Sequence, residues 1–117
     1  MTKEPVELPR AGSFVTEVGL SQTGLFLTLC DNGPTPPEYV RLFLDTGWTL
    51  GPTRFDLDTD EPESGLLTLC RVLSRTLAGA ARAGAGLVVE FEDFDKLEID
   101  GHAAANTTHD IWWLARP

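Results

Sequence analysis

His102 and the His109-Asp110 pair are the residues of this chain best suited by type to acid–base chemistry, because an unperturbed histidine changes charge near neutral pH. Both histidines fall in one small, polar stretch, Gly101 to His109, and the chain has no third. A hydrolytic triad needs a nucleophile, a base and an orienting acid brought together. Ser13, Ser21, Ser64 and Ser74 all lack the G-x-S-x-G frame that presents such a nucleophile. The stretch therefore reads as an exposed connection without catalytic residues, and the chain as a non-enzyme. Asp56-x-Asp58-x-Asp60 resembles the first half of a calcium loop, but that loop needs glycine at its sixth position and a bidentate Glu at its twelfth. Here those positions hold Glu61 and Leu67. Cys30 and Cys70 sit beside leucines, and neither a C-x-x-C nor an H-x-x-x-H accompanies them. Two buried, reduced thiols are expected, with no metal site and no cofactor.

Carboxylates are the more informative group. Glu90, Glu92, Asp93, Asp95, Glu98 and Asp100 lie within eleven positions, offset only by Lys96. Glu90 and Glu92 share a strand face opposite Val89 and Phe91, so they read either as a solvated outer face or as a negative patch that steers a basic partner. Trp112-Trp113 sends its two rings to opposite sides of a strand, so one of them must cover another element or stand as an aromatic anchor. Trp112 joins Glu90, Glu92, Asp93, Asp95 and Glu98 in the candidate partner-binding set. Nine basic against eighteen acidic residues leave a net charge of −9. Nucleic-acid phosphates and anionic membranes are excluded as partners, since both demand clustered Lys and Arg. The start, Met1-Thr2-Lys3-Glu4-Pro5, has no apolar run behind its lysine, and no run elsewhere is long enough to span a bilayer. A cytoplasmic protein is the expectation.

These groups need elements to hold them. The 117 residues are the length of one domain, and 42% hydrophobic with 23% charged residues is ordinary globular composition. Residues 1–12, with two prolines and Gly12 among charges, read as a flexible arm, and 13–117 as a single α+β domain. Strands are expected over Phe14 to Leu20, over Leu25 to Cys30, where leucines alternate, over Tyr39 to Leu44, and at Trp48-Thr49-Leu50. Asp60 and Glu63 fit a capping box, Pro62 suits a first helical turn, and Leu66, Leu69, Cys70, Leu73 and Leu77 recur at helical spacing. This predicts one helix over about 61–75, with residues 76–85 open to either helix or strand. Leu87 to Phe91, Lys96 to Asp100 and Ile111 to Arg116 complete the strands. In the hairpin over residues 86–100, alternation turns Val89, Phe91, Leu97 and Ile99 inward.

The two β regions repeat. Gly24-Leu25-x-Leu27-x-Leu29-x-Asp31 matches Gly86-Leu87-x-Val89-x-Phe91-x-Asp93 at an offset of 62, and Leu42-x-Leu44-Asp45 matches Leu97-x-Ile99-Asp100. Each half then runs on to tryptophan. The expected architecture is two pseudo-repeated antiparallel β-meanders, about six or seven strands, joined by one α-helix. The pattern of Leu25 to Leu29, Leu66 to Leu73, Gly86 to Asp93, Leu97-Glu98-Ile99 and Trp113-Leu114 resembles a small bacterial domain family of unknown function, common in high-GC Gram-positives. The resemblance covers about residues 14–116 and implies a fold without an activity. It departs at Phe94, which stands where the family has a turn glycine and implies a longer turn.

Three functions follow as expectations. The first is a non-catalytic acidic protein-binding module, in its most specific form an immunity protein neutralising a basic toxin. The second is a small enzyme or ligand-binding domain using the His102–Asp110 loop. The third is an obligate homodimeric structural domain.

Overall fold

In the computed structural model, residues 7–108 and 110–117 are described. Alternating leucines build the first sheet. The chain enters it through β1 (Phe14–Ser21), turns tightly into β2 (Gly24–Asp31) and returns along β3 (Glu38–Leu44). Gly24 makes the turn possible, with φ +127° and a Cβ position only 2.9 Å from the Leu44 carbonyl oxygen. Leu25, Leu27 and Leu29 of β2 face inward with Leu42 and Leu44 of β3, all buried. The chain then crosses to a second layer as β4 (Trp48–Leu50) and β5 (Thr53–Phe55). After α1 (Pro62–Leu69) and a single 3₁₀ turn (Cys70–Val72) come β6 (Leu77–Ala83), β7 (Gly86–Phe91) and β8 (Leu97–Ile99). β9 (Trp112–Ala115) ends the chain back in the first layer.

The result is mostly β: two antiparallel sheets, ordered β1-β2-β3-β9 and β5-β4-β8-β7-β6, and one short helix. Nine strands stand among the described residues, against the six or seven expected. The additions are β5 and β6. β6 settles the open stretch 76–85 as strand, because β7 offers it a ladder from Leu77↔Phe91 to Ala83↔Gly86.

Two connections trade places between layers. β4 follows β3 but pairs with β8, while β9 follows β8 but pairs with β3. Backbone features also recur 62 residues apart. The register is interrupted between Val15 and Glu17 and again between Leu77 and Gly79. Gly12 and Ser74 both have positive φ, +91° and +66°. Phe14 and Thr76, spaced by the same interval, form the bridge that laces β1 to the segment before β6.

That lacing corrects the helix. The predicted helix over 61–75 ends as α-helix at Leu69, and Leu77 lies in β6 rather than on a helical stripe. Backbone bonds from β1 claim the chain instead: Val15 N–H donates to Arg75 O (3.0 Å), Ser74 N–H to Val15 O (2.8 Å) and Leu77 N–H to Ser13 O (2.7 Å). A ladder satisfying several backbone groups at once outweighs modest helical propensity. The expected capping box is absent too. Glu61 occupies the cap position without a side-chain bond, and the Asp60 carboxylate accepts the Asp56 N–H at 2.7 Å. The helix reaches the core through Gly65, whose Cβ would lie 2.7 Å from Phe55 and 2.8 Å from Leu25. Cys70, expected buried, is exposed on the 3₁₀ turn, while Cys30 is buried, and both are free thiols.

One apolar cluster fills the space between the sheets, with Trp48, Leu27, Leu42, Leu69, Leu87, Val89 and Leu97 fully enclosed. Val89, Phe91, Leu97 and Ile99 face it from the 86–100 hairpin, in the register that alternation requires. Of the expected arm, residues 1–6 lie outside the described residues. Pro9 is buried, Leu8 packs on the core and Gly12 N–H bonds Leu77 O at 2.9 Å.

Candidate functional site

The carboxylates singled out in the sequence lie on β7, on β8, in the turn between them and just past the end of β8. Glu98 projects outward between Thr49 and Val88, its cross-strand partners, and Glu90 points the same way opposite Gly79. Five residues, Glu92 to Lys96, connect β7 to β8, the longer turn expected from Phe94. Asp93 takes φ +51° there, a conformation in which a short side chain that bonds locally is tolerated. Phe94 holds the turn down: Arg75 lies 4.1 Å and Arg71 5.6 Å from its ring centre, and Arg71 also reaches Asp95 at 3.7 Å. Glu98 pairs with Lys96 at 3.1 Å. Both ion pairs are about half exposed and contribute little. Glu90, Glu92 and Asp93 are exposed and make no ion pair among the described residues. The unmatched patch is thus narrower than six carboxylates: three are unmatched, and three (Asp95, Glu98 and Asp100) are matched.

Trp112 does not belong to it. Leu44 is its register partner, so its ring turns into the core at 8% exposure, where Nε1–H donates to the Ala85 carbonyl at 2.8 Å. Arg82 stacks over the indole at 4.8 Å. Trp113 is the outward ring, parallel to Phe43 with centres 4.9 Å apart.

Trp113 ends a row that was not read from the sequence. Across the outside of the four-stranded sheet, register aligns Gly19, Phe26, Phe43 and Trp113. Phe26 and Phe43 tilt together at 5.6 Å, and Gly19 leaves the room Phe26 fills. Beside this row Arg41 lies 4.5 Å over Phe26, donates to Thr28 Oγ1 at 3.2 Å and pairs with Glu17 at 3.0 Å. A signal existed: Leu25-Phe26-Leu27, Leu42-Phe43-Leu44 and Trp112-Trp113-Leu114 all break alternation with an aromatic in the outward position.

The histidine loop is held as a connection. Asp58 accepts the N–H groups of Ala105 (3.1 Å) and Asn106 (2.8 Å). Asp45, nearly buried, accepts Thr108 N–H at 2.9 Å, and Thr46 Oγ1 donates to the His102 carbonyl at 2.7 Å. The His102 ring is exposed, with Nε2 3.8 Å from Asp100. Asp110 uses one oxygen on its own Ile111 N–H at 2.8 Å. His109 lies outside the described residues. Asp56, Asp58 and Asp60 each accept backbone N–H groups rather than converging, and among the described residues no three His, Cys, Asp or Glu side chains gather around a point that could hold a metal.

Asp100 is engaged more strongly. Arg54 grips it with two bonds of 2.7 and 2.5 Å, in space left open because residue 47 is glycine. The guanidinium hydrogen bonds hold the Asp100 carboxyl below the usual carboxylate range against the opposing pull of burial, and they raise Arg54 in turn. This is a structural clamp between β5 and the end of β8. A cavity of about 180 Å³ lies elsewhere, against Leu8, Ser13, Leu29, Tyr39, Val40 and Arg116. None of its lining comes from residues 101–110.

Compared with known families, curated proteins and solved structures, the chain matches none. Among the described residues no helix is long and apolar enough to cross a membrane.

Proposed function

We propose that this chain is a non-catalytic module that binds a basic protein, acting in the cytoplasm. Its most specific form is an immunity protein that neutralises a basic toxin such as a nuclease. One observation carries the reading: Glu90, Glu92 and Asp93 are exposed and make no ion pair among the described residues, on a chain of net charge −9. Such a group raises the encounter rate with a cationic surface over the screening length of about 8–10 Å at physiological salt. Asp95 and Glu98 extend the patch when a stronger cation displaces Arg71 and Lys96. The histidine loop supports an enzyme poorly, since its fixing carboxylates are spent on backbone N–H groups.

The same proposal includes the build. The spacing of 62 that relates the register breaks and the positive-φ pair supports two copies of one β-meander, each lending its last strand to the other's sheet. Kinship with the small bacterial domain family belongs with it, on the motif that carries it.

Affinity capture from the native host tests the function. A partner of high isoelectric point, lost at 500 mM salt and lost with Glu90→Gln/Glu92→Gln/Glu98→Gln, is the expected result. A partner retained through both changes overturns the acidic reading.

A further inference from the structure

β9 is an edge strand, and it is built unlike the other edges. β1 is laced to residues 74–77, β6 carries a register break and Arg82, and β5 is three residues long with Arg54 at its centre. Trp112–Ala115 contains no charge, proline or glycine, the devices that ordinarily blunt an edge. Its hydrogen-bonding parity is set by the Asp45 N–H, which donates to the Ile111 carbonyl at 3.0 Å. In an antiparallel ladder alternate residues face alternate sides, so Trp112 and Leu114 turn their N–H and C=O groups to the open side. A groove of about 440 Å³ runs along it, between the strand and Arg82 and Ala85 of the β6–β7 hairpin.

The geometry points to a second copy of this chain as the occupant, its β9 added antiparallel to this one. The register follows from the residues. With the two-fold axis at Trp113, Trp112 pairs with Leu114 of the other copy through the outward backbone groups. Ile111 then meets Ala115, and Asp110 meets Arg116, an opposite-charge pair formed twice. Both Asp110 and Arg116 are exposed and able to pair. The same register brings the aromatic rows end to end, Phe26-Phe43-Trp113 running on into its symmetry mate. This charge complementarity matters on a chain of net charge −9, because the edge is one place where two copies meet without repulsion. A junction seven residues long falls short of the roughly 800 Å² per partner typical of a stable complex, so the dimer belongs to the weak class. The inference is independent of the basic-partner reading, which uses the other sheet.

Sedimentation velocity from 5 µM to 1 mM tests it. The expected result is a monomer at the low end and a mass approaching twice the monomer's at the high end. Arg116→Glu sets like charges opposite each other and weakens dimerisation on the order of tenfold. Asp110→Arg/Arg116→Glu restores it. Monomer throughout at 1 mM overturns the proposal, as does a dimer indifferent to Arg116→Glu or unrestored by the double change. Because both side chains are exposed, a circular dichroism spectrum unchanged by either variant keeps a folding defect from being read as lost pairing.

Discussion

The two sheets agree inside and differ outside. On the inner side, Leu25, Leu44 and Trp112 cross the four-stranded sheet where Leu87, Ile99 and Trp48 cross the five-stranded one, at matching register. On the outer side, Gly19, Phe26, Phe43 and Trp113 correspond to Ala81, Val88, Glu98 and Thr49. One layout therefore stands with an aromatic exterior and with a polar one. The inner leucines and tryptophans are what the fold requires. The outer aromatics exceed that requirement, since the second sheet keeps the same layout without them.

Breaking the shared interior should have the largest effect. Val89→Asp places a carboxyl group in a site of zero exposure and should cost several kcal/mol, a large share of the ~5–15 kcal/mol by which a domain is stable. The group must be buried unpaired or take up a proton, and valine packing is lost as well. Glu90→Gln beside it should be mild, so comparable melting midpoints for the two variants would refute the register. Next comes a transplant that sharpens the contrast. Phe43→Glu with Trp113→Thr installs on the first sheet what the second already carries. Denaturant unfolding should show a loss of about 2–3 kcal/mol from half-buried ring contacts, with a folded protein still formed. Failure to fold would show that the two exteriors are not interchangeable.

Smaller again is the Arg54–Asp100 clamp. Asp100→Asn should cost about 1 kcal/mol, the half-exposed arginine being partly screened. Because the folded-state pKa of Asp100 is lowered, the clamp contributes fully above the ordinary carboxylate value of about 3.9 and fades as pH falls through the folded-state value. The gap in melting temperature between wild type and Asp100→Asn should stay constant from pH 8 to 5 and close in strong acid. A gap that widened on acidification would refute the assignment. The smallest effect on stability belongs to Glu90→Gln/Glu92→Gln/Glu98→Gln, within about 0.5 kcal/mol by thermal melting, because these groups are exposed.

Legibility followed burial. β2, β3, β7 and β8 were readable because one side of each is enclosed, so alternation marks the inward residues. The helix was overdrawn because Leu73 and Leu77 continue a periodic leucine pattern, and only the distant β1 backbone shows that the chain has already left it. Parity decided Trp112 against Trp113, and parity depends on the Leu44 partner, which no local pattern names. Asp45 and Asp58 look in sequence like solubilising loop acids, whereas their work is to bind N–H groups about 47 to 63 residues away. Opposite-charge spacing around β9 is visible in the sequence, but its meaning needs an exposed edge.

The traded strands also set a timetable for folding. β3 finds its partner β9 only 68 to 74 residues further along, so loop closure must precede that contact's reward. During synthesis, the first sheet stays open beside Phe43 and Leu44 until residues 112–115 have been made, even though β1, β2 and β3 were made early. Completion of the first sheet is therefore expected to be late and concerted, with the pairing of β9 to β3 as its closing step.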